Sequence, residues 1–334
     1  MTPYISFVVA SRNDNYGGNQ VRRMQIFINA LLSSWKKHDL DAELLIVEWN
    51  PPLDRPRLKD VLEWPKDLKL GCVRMIDVPS EFHYRFPNSE KMPIFEHIAK
   101  NVGVRRARGK YVLVTDPDVL YSDELIGFLS SKSLSPDAFY RVDRYDTDPD
   151  VPVNGNLKDQ LAFCVNHVRR VDLLGATIML RRPPVGWGRV DFAMERFLLT
   201  FNRAARRIGD SLRIEDRLYT NASGSFTLML SDRWAELRGY PELATQGHID
   251  AYIIVMATSA GLRQIILPRS MRIYHMEHQR AIDWINVDKT TRPLTSFEQW
   301  ERDSKEMLRD MKPKIINDES WGLANQVLSE YVIR

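Results

Sequence analysis

Apolar runs of strand length alternate with longer helical segments in the first half of the chain. Helical periodicity falls at residues 21–37, where Met24, Phe27 and Leu31 share one face, and again at residues 96–107. The apolar runs are residues 4–10, 42–48, 73–78 and 111–115. Strands that alternate with helices favour a parallel sheet covered by helices on both faces. The pattern therefore predicts an α/β fold with a mostly parallel central sheet.

Polar loops follow three of the predicted strands directly. They are residues 11–18, 48–51 and 116–118. Ligands of parallel sheets bind beyond the carboxyl ends of the strands, because loops and helix N-termini gather there. We therefore expect the three loops to share one cleft.

The second half of the chain is less regular. Residues 147–156 are rich in Pro, Asp and Asn and predict a loop. Residues 226–230 and 264–267 predict strands, and residues 249–260 and 295–311 predict helices.

Arginines accumulate between residues 169 and 213. A row of this kind is more typical of a solvated helix face than of a patch for an anionic ligand, and the first interpretation is preferred. The arginines are Arg169, Arg170, Arg181, Arg182, Arg203, Arg206 and Arg207.

Composition narrows the classes of function. Of the 334 residues, 47 are basic and 44 acidic, so the net charge of +3 is too balanced to predict a nucleic-acid binder. Cys72 and Cys164 cannot form a disulfide scaffold or a four-thiolate zinc site. The first apolar run is too short for a signal peptide, and no stretch reaches the ~18 apolar residues that span a bilayer. We expect a cytoplasmic protein, and a peripheral contact of its arginines with anionic lipid at the inner face of the membrane stays open.

The strand at residues 111–115 ends in two carboxylates, Asp116 and Asp118, separated by Pro117. Hard cations such as Mg2+ and Mn2+ prefer oxygen ligands and leave positions free for phosphate oxygens. The tripeptide Asp-Pro-Asp is also typical of tight turns, and taken alone it would favour a turn over a metal site.

The residues before these carboxylates extend the motif. Residues 101–118 read Asn-Val-Gly-Val-Arg-Arg-Ala-Arg-Gly-Lys-Tyr-Val-Leu-Val-Thr-Asp-Pro-Asp. The run resembles the nucleotide-sugar-binding half of family 2-type glycosyltransferases, where an Asn-x-Gly helix with a later Ala-x-Gly leads into a strand ending in Asp-x-Asp. The resemblance covers most of residues 4–125 and implies the GT-A fold.

For this donor half, the resemblance implies a set of residues that bind the nucleotide sugar. They are Ser11, Arg12, Asn13, Asp14, Glu48, Asn101, Arg105 and Asp116. The sequence departs from the family at residues 15–19, whose two glycines either admit a phosphate or serve a tight turn. It also departs at residues 48–51, Glu-Trp-Asn-Pro, which leaves the identity of the nucleotide open.

The segment at residues 221–242 resembles the acceptor side of the same enzymes. The resemblance assigns Asn221, Gly224 and His248 to a loop beside the sugars, and it aligns Asp250 with the catalytic aspartate. A carboxylate has a clear use there, because an acceptor hydroxyl needs a base to take its proton. Asp250 is alternatively a helix N-cap, a role compatible with the first.

A histidine pair, His275 and His278, follows the last predicted strand. Many metal-dependent GT-A enzymes supply one histidine from this region, and His275 is preferred because it is nearer the strand end. The resemblance then implies a metal site of Asp116, Asp118 and His275 for Mn2+ or Mg2+. The spacing does not match a zinc protease.

Together these features predict a metal-dependent inverting glycosyltransferase that moves a sugar from a nucleotide-diphosphate sugar to a hydroxyl of a glycan or glycoconjugate. The alternatives are a non-catalytic carbohydrate-binding or scaffold protein of the same fold, and a sugar-phosphate nucleotidyltransferase. The expected domains are a GT-A domain, residues 1–280, with halves at 1–125 and 126–280, and a C-terminal helical extension, residues 281–334.

Overall fold

The computed structural model describes residues 2–66, 68, 71–180, 197, 213–279 and 293–333. Its strands are β1 (Ile5–Ser11), β2 (Ala42–Trp49), β3 (Val73–Val78), β4 (Tyr111–Thr115), β5 (Val119–Tyr121), β6 (Ala138–Arg141), β7 (Asp143–Thr147), β8 (Val168–Leu173), β9 (Ala176–Met179), β10 (Phe226–Leu230), β11 (Arg263–Ile266), β12 (Arg272–Met276) and β13 (Ser329–Val332). Its helices are α1 (Gln20–His38), α2 (Leu58–Val61), α3 (Ser80–His83), α4 (Glu96–Arg106), α5 (Asp123–Ser130), α6 (Leu157–Asn166), α7 (Ile214–Arg217), α8 (Ser231–Glu236), α9 (Ile249–Ser259) and α10 (Phe297–Asp310). No helix within these residues is both long enough and apolar enough to cross a membrane.

Eight strands form the central sheet in the order β11-β6-β10-β4-β1-β2-β3-β13. Four of its pairings are parallel: β1 with β2, β1 with β4, β2 with β3, and β6 with β11. Strand β10 runs antiparallel to both β4 and β6, and β13 runs antiparallel to β3. The predicted α/β fold, with a mostly parallel central sheet flanked by helices, is confirmed.

The two faces of β1 explain why most of this strand is apolar. Phe7 and Val9 join a buried cluster with Met24 of α1. Val8 and Ala10 point to the opposite face and join a second cluster that contains residues of α4 and α9. Because successive side chains of a strand point to opposite faces, a strand covered on both sides reads as a continuous apolar run.

The Asn-x-Gly segment of α4 allows a close contact between this helix and β1. A Cβ atom at Gly103 would lie 2.5 Å from the Cγ1 atom of Val8, a distance that real Cβ atoms do not show. Asn101 lies two residues before Gly103, fully buried, and its side chain bonds both the N–H and the C=O of Tyr240, each at 2.8 Å. The motif therefore packs α4 against the sheet and anchors the turn at Tyr240.

A second sheet of five strands, in the order β5-β12-β7-β8-β9, lies beside the first. It corrects two expectations. Arg169 and Arg170 lie on strand β8 and not on a helix, where they pair with Asp148 and Asp146. His275 lies within β12, a strand that the sequence pattern did not predict. The remaining arginines of the row lie outside the described residues.

The C-terminal segment contributes to the body of the protein in two ways. Helix α10 packs against α9, and strand β13 adds to the edge of the central sheet beside β3. Arg74 of β3 bonds Glu330 of β13 and also Glu43 of β2. The segment therefore contains a strand as well as the expected helix, while the domain boundaries stay predictions.

Candidate functional site

A cleft of about 340 Å³ lies at the carboxyl ends of β1 and β4. Two of the three expected loops reach it, namely the loop after β1 and residues 116–118. Residues 48–51 are absent from the described residues that line it. The predicted site residues in the lining are Asp14, Asp116, Asp118, Gly224, His248, Asp250 and His275.

One carboxylate and two imidazoles come together at one side of the cleft. An oxygen of Asp118 and one ring nitrogen each of His275 and His278 lie within 4.8 Å of one another. The Nε2 atoms of His275 and His278 are 3.6 and 3.3 Å from the two Asp118 oxygens. Burial alone would raise the pKa of Asp118, but the two histidines more than offset this and lower it. The group has the number and type of ligands that hold a divalent cation.

The ring of His275 is fixed from behind by residues of β7. Its Nδ1 atom lies 2.9 Å from a guanidinium nitrogen of Arg144 and 3.3 Å from Asp146. Donation of the Nδ1 proton to Asp146 leaves the Nε2 lone pair facing Asp118, whereas donation by Arg144 to Nδ1 places the proton on Nε2. The first tautomer is the one that binds a metal through Nε2.

His278 has a single polar neighbour behind its ring among the described residues. Its Nδ1 atom lies 3.0 Å from the backbone carbonyl of Gln279, so Nδ1 carries the proton when this hydrogen bond forms. In this neutral tautomer the Nε2 lone pair lies on the side of Asp118, where a metal would bind it, whereas the charged ring donates its Nε2–H to Asp118. Burial opposes the charged form of His278, but Asp118 outweighs burial and raises the pKa of His278. Both rings thus face the same carboxylate, and the preference for His275 as the metal ligand stays a prediction.

Asp116 is already occupied by protein donors. Its two oxygens accept hydrogen bonds from the ammonium group of Lys100 at 2.7 Å and from the hydroxyl of Ser225 at 2.5 Å. Burial opposes charge on both partners, yet their attraction, with Glu96 and Arg144 contributing, raises the pKa of Lys100 and holds the pKa of Asp116 well below its ordinary value. The pair is therefore ionised, and Asp116 lies outside the Asp118–His275–His278 group.

Asp250 also lines the cleft, at the second residue of α9. The helix is preceded by His248 in the left-handed conformation, so His248 and not Asp250 occupies the N-cap position. The Oδ2 atom of Asp250 accepts a 2.8 Å hydrogen bond from the backbone N–H of Gly224. His97 lies nearby, and burial lowers its pKa, which keeps its ring neutral at pH 7. The carboxylate of Asp250 is therefore held at the cleft without a cation at hydrogen-bonding distance among the described residues.

Four predicted donor residues lie behind the cleft lining. Ser11 accepts from Gln20, Arg12 donates to the carbonyl of Asn50, and Asn13 donates to the carbonyl of Pro56. Glu48 accepts from the backbone N–H of Leu58 and pairs with Arg57 at 3.0 Å, while burial raises its pKa. Their observed partners are protein groups that shape the loops around the carboxyl ends of β1 and β2.

Three further predicted residues serve the fold. Asn101 anchors the turn at Tyr240, as described above. The Arg105 guanidinium lies over the ring of Trp321, with 4.7 Å to its centroid. Asn221 donates to the carbonyls of Leu173 and Ala176 and so ties its loop to the second sheet. None of the three belongs to the described lining of the cleft.

The sequence motifs did not single out Lys100, His97, Arg144 or Arg23, which all contribute to the site. Lys100 had one available signal, because a lysine inside an apolar helix and directly before the motif asparagine must find a partner when buried. Arg144 and Arg23 had no such signal, since their partners within the site, His275 and Asp118, come from segments distant in sequence.

Comparison with known proteins gives structural likeness only. No family model and no curated protein matches the chain. The catalytic domain of Drosophila beta1,4-galactosyltransferase 7, crystallised with xylobiose, is 12% identical with a TM-score of 0.38, over 93% of this chain and 81% of that one. The structure of GalNAc-T7 with UDP, GalNAc and Mn2+ is also 12% identical, with a TM-score of 0.42, over 84% of this chain and 44% of that one. The chain thus spans less than half of the second structure, and the case for a function rests on the side chains of the cleft.

Proposed function

We propose that the protein is a metal-dependent glycosyltransferase that moves a sugar from a nucleotide-diphosphate sugar to an acceptor hydroxyl. One observation carries this proposal: a ligand set for a divalent cation, Asp118, His275 and His278, shares a cleft with the carboxylate of Asp250. The resemblance of residues 101–118 to family 2-type glycosyltransferases supports the same function. The acceptor of the proposal is a glycan or glycoconjugate.

The chemistry of the ligand set favours Mn2+ over Mg2+. Mg2+ is held almost entirely by oxygen, whereas imidazole nitrogen suits softer first-row cations. A set of one carboxylate and two imidazoles leaves further coordination positions for oxygens of a ligand. Bound there, the cation would neutralise negative charge that develops on the departing diphosphate.

The protein groups around the ligand set have roles of their own in this proposal. Asp146 orients His275, and the carbonyl of Gln279 orients His278. Lys100 keeps Asp116 ionised and fixed beside Ser225. Arg12 and Arg105 were expected among the residues that bind the nucleotide sugar, but the arginines in the described lining of the cleft are Arg23 and Arg144, which bond Asp118 and Asp146.

Asp250 is the proposed base for a single displacement with inversion at the anomeric carbon. An acceptor hydroxyl becomes a competent nucleophile when a positioned carboxylate takes its proton as the new bond forms. The bond from the Gly224 N–H fixes one oxygen of Asp250 and leaves the side chain at the lining of the cleft. This geometry suits a base that must be held in place but remain reachable.

A thermal-shift screen tests the proposal and identifies the donor. UDP-, GDP- and dTDP-sugars are added to the wild-type protein with and without Mn2+, because a ligand stabilises only the state that binds it. We expect one donor class to raise Tm in the presence of Mn2+. The substitution Asp118→Asn should abolish the part of this Tm increase that depends on Mn2+. Asp310→Asn, which removes a surface carboxylate of α10, is the matched control. An Mn2+-dependent shift that survives Asp118→Asn would contradict the assignment of the metal site.

Product analysis separates the proposal from its two alternatives. A transferase releases a nucleoside diphosphate from the stabilising donor. A carbohydrate-binding or scaffold protein gives a shift without release, and a sugar-phosphate nucleotidyltransferase consumes pyrophosphate and returns a nucleoside triphosphate. Either of the last two outcomes would overturn the proposed activity.

A further inference from the structure

Residues 15–19, here called the glycine loop, connect β1 to α1 and run beside the proposed metal centre. Four of the five residues have positive φ: Asn15 (60°), Gly17 (65°), Gly18 (76°) and Asn19 (53°). Residues other than glycine rarely adopt a positive φ, and asparagine is one of those that adopt it most often. The loop therefore has a specific conformation that contacts outside it must maintain.

Arg23 of α1 maintains this conformation and links the loop to the metal centre. Its buried guanidinium donates to the carbonyls of Tyr16 and Gly18 and reaches the Oδ2 atom of Asp118 at 3.4 Å. Only 3% of the Arg23 side chain is exposed, so these three acceptors compensate a charge that is removed from water. One side chain thus holds both the loop and a proposed metal ligand.

Gly17 brings the backbone of the loop against the second histidine. A Cβ atom at this position would lie 2.5 Å from Nδ1 of His278 and 3.0 Å from the carbonyl oxygen of Gln279. These two atoms form the hydrogen bond that leaves Nε2 of His278 free to face Asp118. The ring of Tyr16 adds an edge contact to His278, with 5.1 Å between the ring centroids.

We propose that the glycine loop is the positioning element of the metal centre, with Gly17 holding His278 in its ligating orientation and Arg23 joining the loop to Asp118. This inference rests on the proposed metal site and adds a function to a segment that the family resemblance left unexplained. The loop also carries Tyr16 into the cleft where the donor is proposed to bind. Metal binding and donor binding are then coupled through the loop, and each strengthens the other by the same factor.

Gly17→Ala tests the contact, and Gly18→Ala is its matched control. Both residues have positive φ, so alanine imposes a similar backbone cost at each. Only at Gly17 does the new Cβ meet other atoms, since nothing lies within 4 Å of a Cβ at Gly18. Mn2+ titration followed by electron paramagnetic resonance should show a Kd about 10- to 100-fold higher for Gly17→Ala, the usual loss when a partner behind a metal ligand is removed. For Gly18→Ala we expect a change of less than about threefold.

Equal Mn2+ Kd values for wild type and Gly17→Ala would overturn the proposal. An equal loss of Mn2+ affinity in Gly17→Ala and Gly18→Ala would overturn it as well. If Gly17→Ala does not fold, hydrogen exchange of the wild-type protein replaces it. Bound Mn2+ should slow exchange of the amides at residues 15–19, and no change there on Mn2+ saturation would overturn the coupling.

His278→Gln distinguishes a failure of the loop proposal from a failure of the metal site. If His278→Gln and Asp118→Asn lose Mn2+ while Gly17→Ala retains it, the metal site stands and the role of the loop is wrong. If both ligand variants bind Mn2+ as the wild type does, the metal site itself is wrong.

Discussion

The backbone N–H of Gly224 donates a 2.8 Å hydrogen bond to the Oδ2 atom of Asp250. The next residue, Ser225, donates its hydroxyl to Asp116 at 2.5 Å. Adjacent residues of one short turn therefore bond two carboxylates of the cleft, Asp250 and Asp116. This turn leads directly into β10, which pairs with β4, so the central sheet holds the turn that bonds both carboxylates.

Substitution Asp250→Asn should remove activity and leave the structure intact. The amide oxygen of asparagine still accepts the Gly224 N–H, but the side chain can no longer take a proton. We expect kcat to fall by about 10²- to 10⁴-fold, the typical contribution of a general base. Steady-state kinetics with the identified donor measure this, and an unchanged Mn2+ affinity shows that the metal site is preserved. A kcat within about twofold of wild type would contradict the role of Asp250.

Substitution Lys100→Met should destabilise the protein strongly. The Lys100 ammonium is fully buried and bonds Asp116, Glu96 and the carbonyl of Gly224, so its removal leaves the partly buried Asp116 without its ammonium partner. Breaking one side of a buried ion pair costs about 3–5 kcal/mol. Urea unfolding at pH 7 measures this loss.

The double variant Lys100→Met with Asp116→Asn is the control for this buried pair. Removing both charges eliminates the uncompensated carboxylate, so we expect it to be more stable than Lys100→Met alone. If the free energy of unfolding of Lys100→Met lies within about 0.5 kcal/mol of the wild-type value, the Lys100–Asp116 pair does not stabilise the protein as described.

Glu330→Gln should make stability less dependent on pH in the acid range. Arg74 bonds the Glu330 carboxylate and lowers its pKa below the ordinary 4.5, despite partial burial. A carboxylate with a lowered pKa stabilises the fold above pH 4.5 and loses this contribution as the pH falls through the pKa of the folded state. We expect Glu330→Gln to cost about 1–2 kcal/mol at pH 7 and progressively less below pH 4.5, measured by urea unfolding across the pH series.

Glu319→Gln is the matched control for this strand-edge contact. Glu319 pairs with Arg238, but 82% of its side chain is exposed, so solvent screens the pair. We expect a change within about 0.5 kcal/mol and no special acid dependence. A cost for Glu319→Gln as large as that for Glu330→Gln would show that β13 is not held by its pairing with Arg74.

Strands β1, β2, β3, β4 and β10 of the central sheet were predictable because they are buried and mostly apolar, whereas β6 and the exposed edge strand β13 were not predicted. Strands β3, β4 and β10 begin and end where the apolar runs do. The second sheet was not predictable in the same way, since β7 and β8 carry charged residues inward. The charge of Asp146 is compensated there by Arg144 and Arg170. A pattern of hydrophobic and polar positions does not predict such a network.

The site was predictable where its residues lie at strand ends and helix starts. Asp118, Asp250 and His275 were expected in one cleft, and the structure brings all three to its lining. Glu48 was expected there from its strand position and from the family resemblance, but it pairs with Arg57 of the following loop. Lys100 was missed because its second acidic partner, Asp116, depends on how α4 packs against β4, although Glu96 lies four residues earlier on the same helix.

Release of nucleoside diphosphate from the stabilising nucleotide sugar, followed with Mn2+ and after chelation, tests the central claim most directly. We predict release by the wild-type protein that requires Mn2+ and is lost in Asp118→Asn, while Asp310→Asn retains it. Equal release with Mn2+ and with chelator, or full release by Asp118→Asn, would contradict a metal-dependent glycosyltransferase at this site.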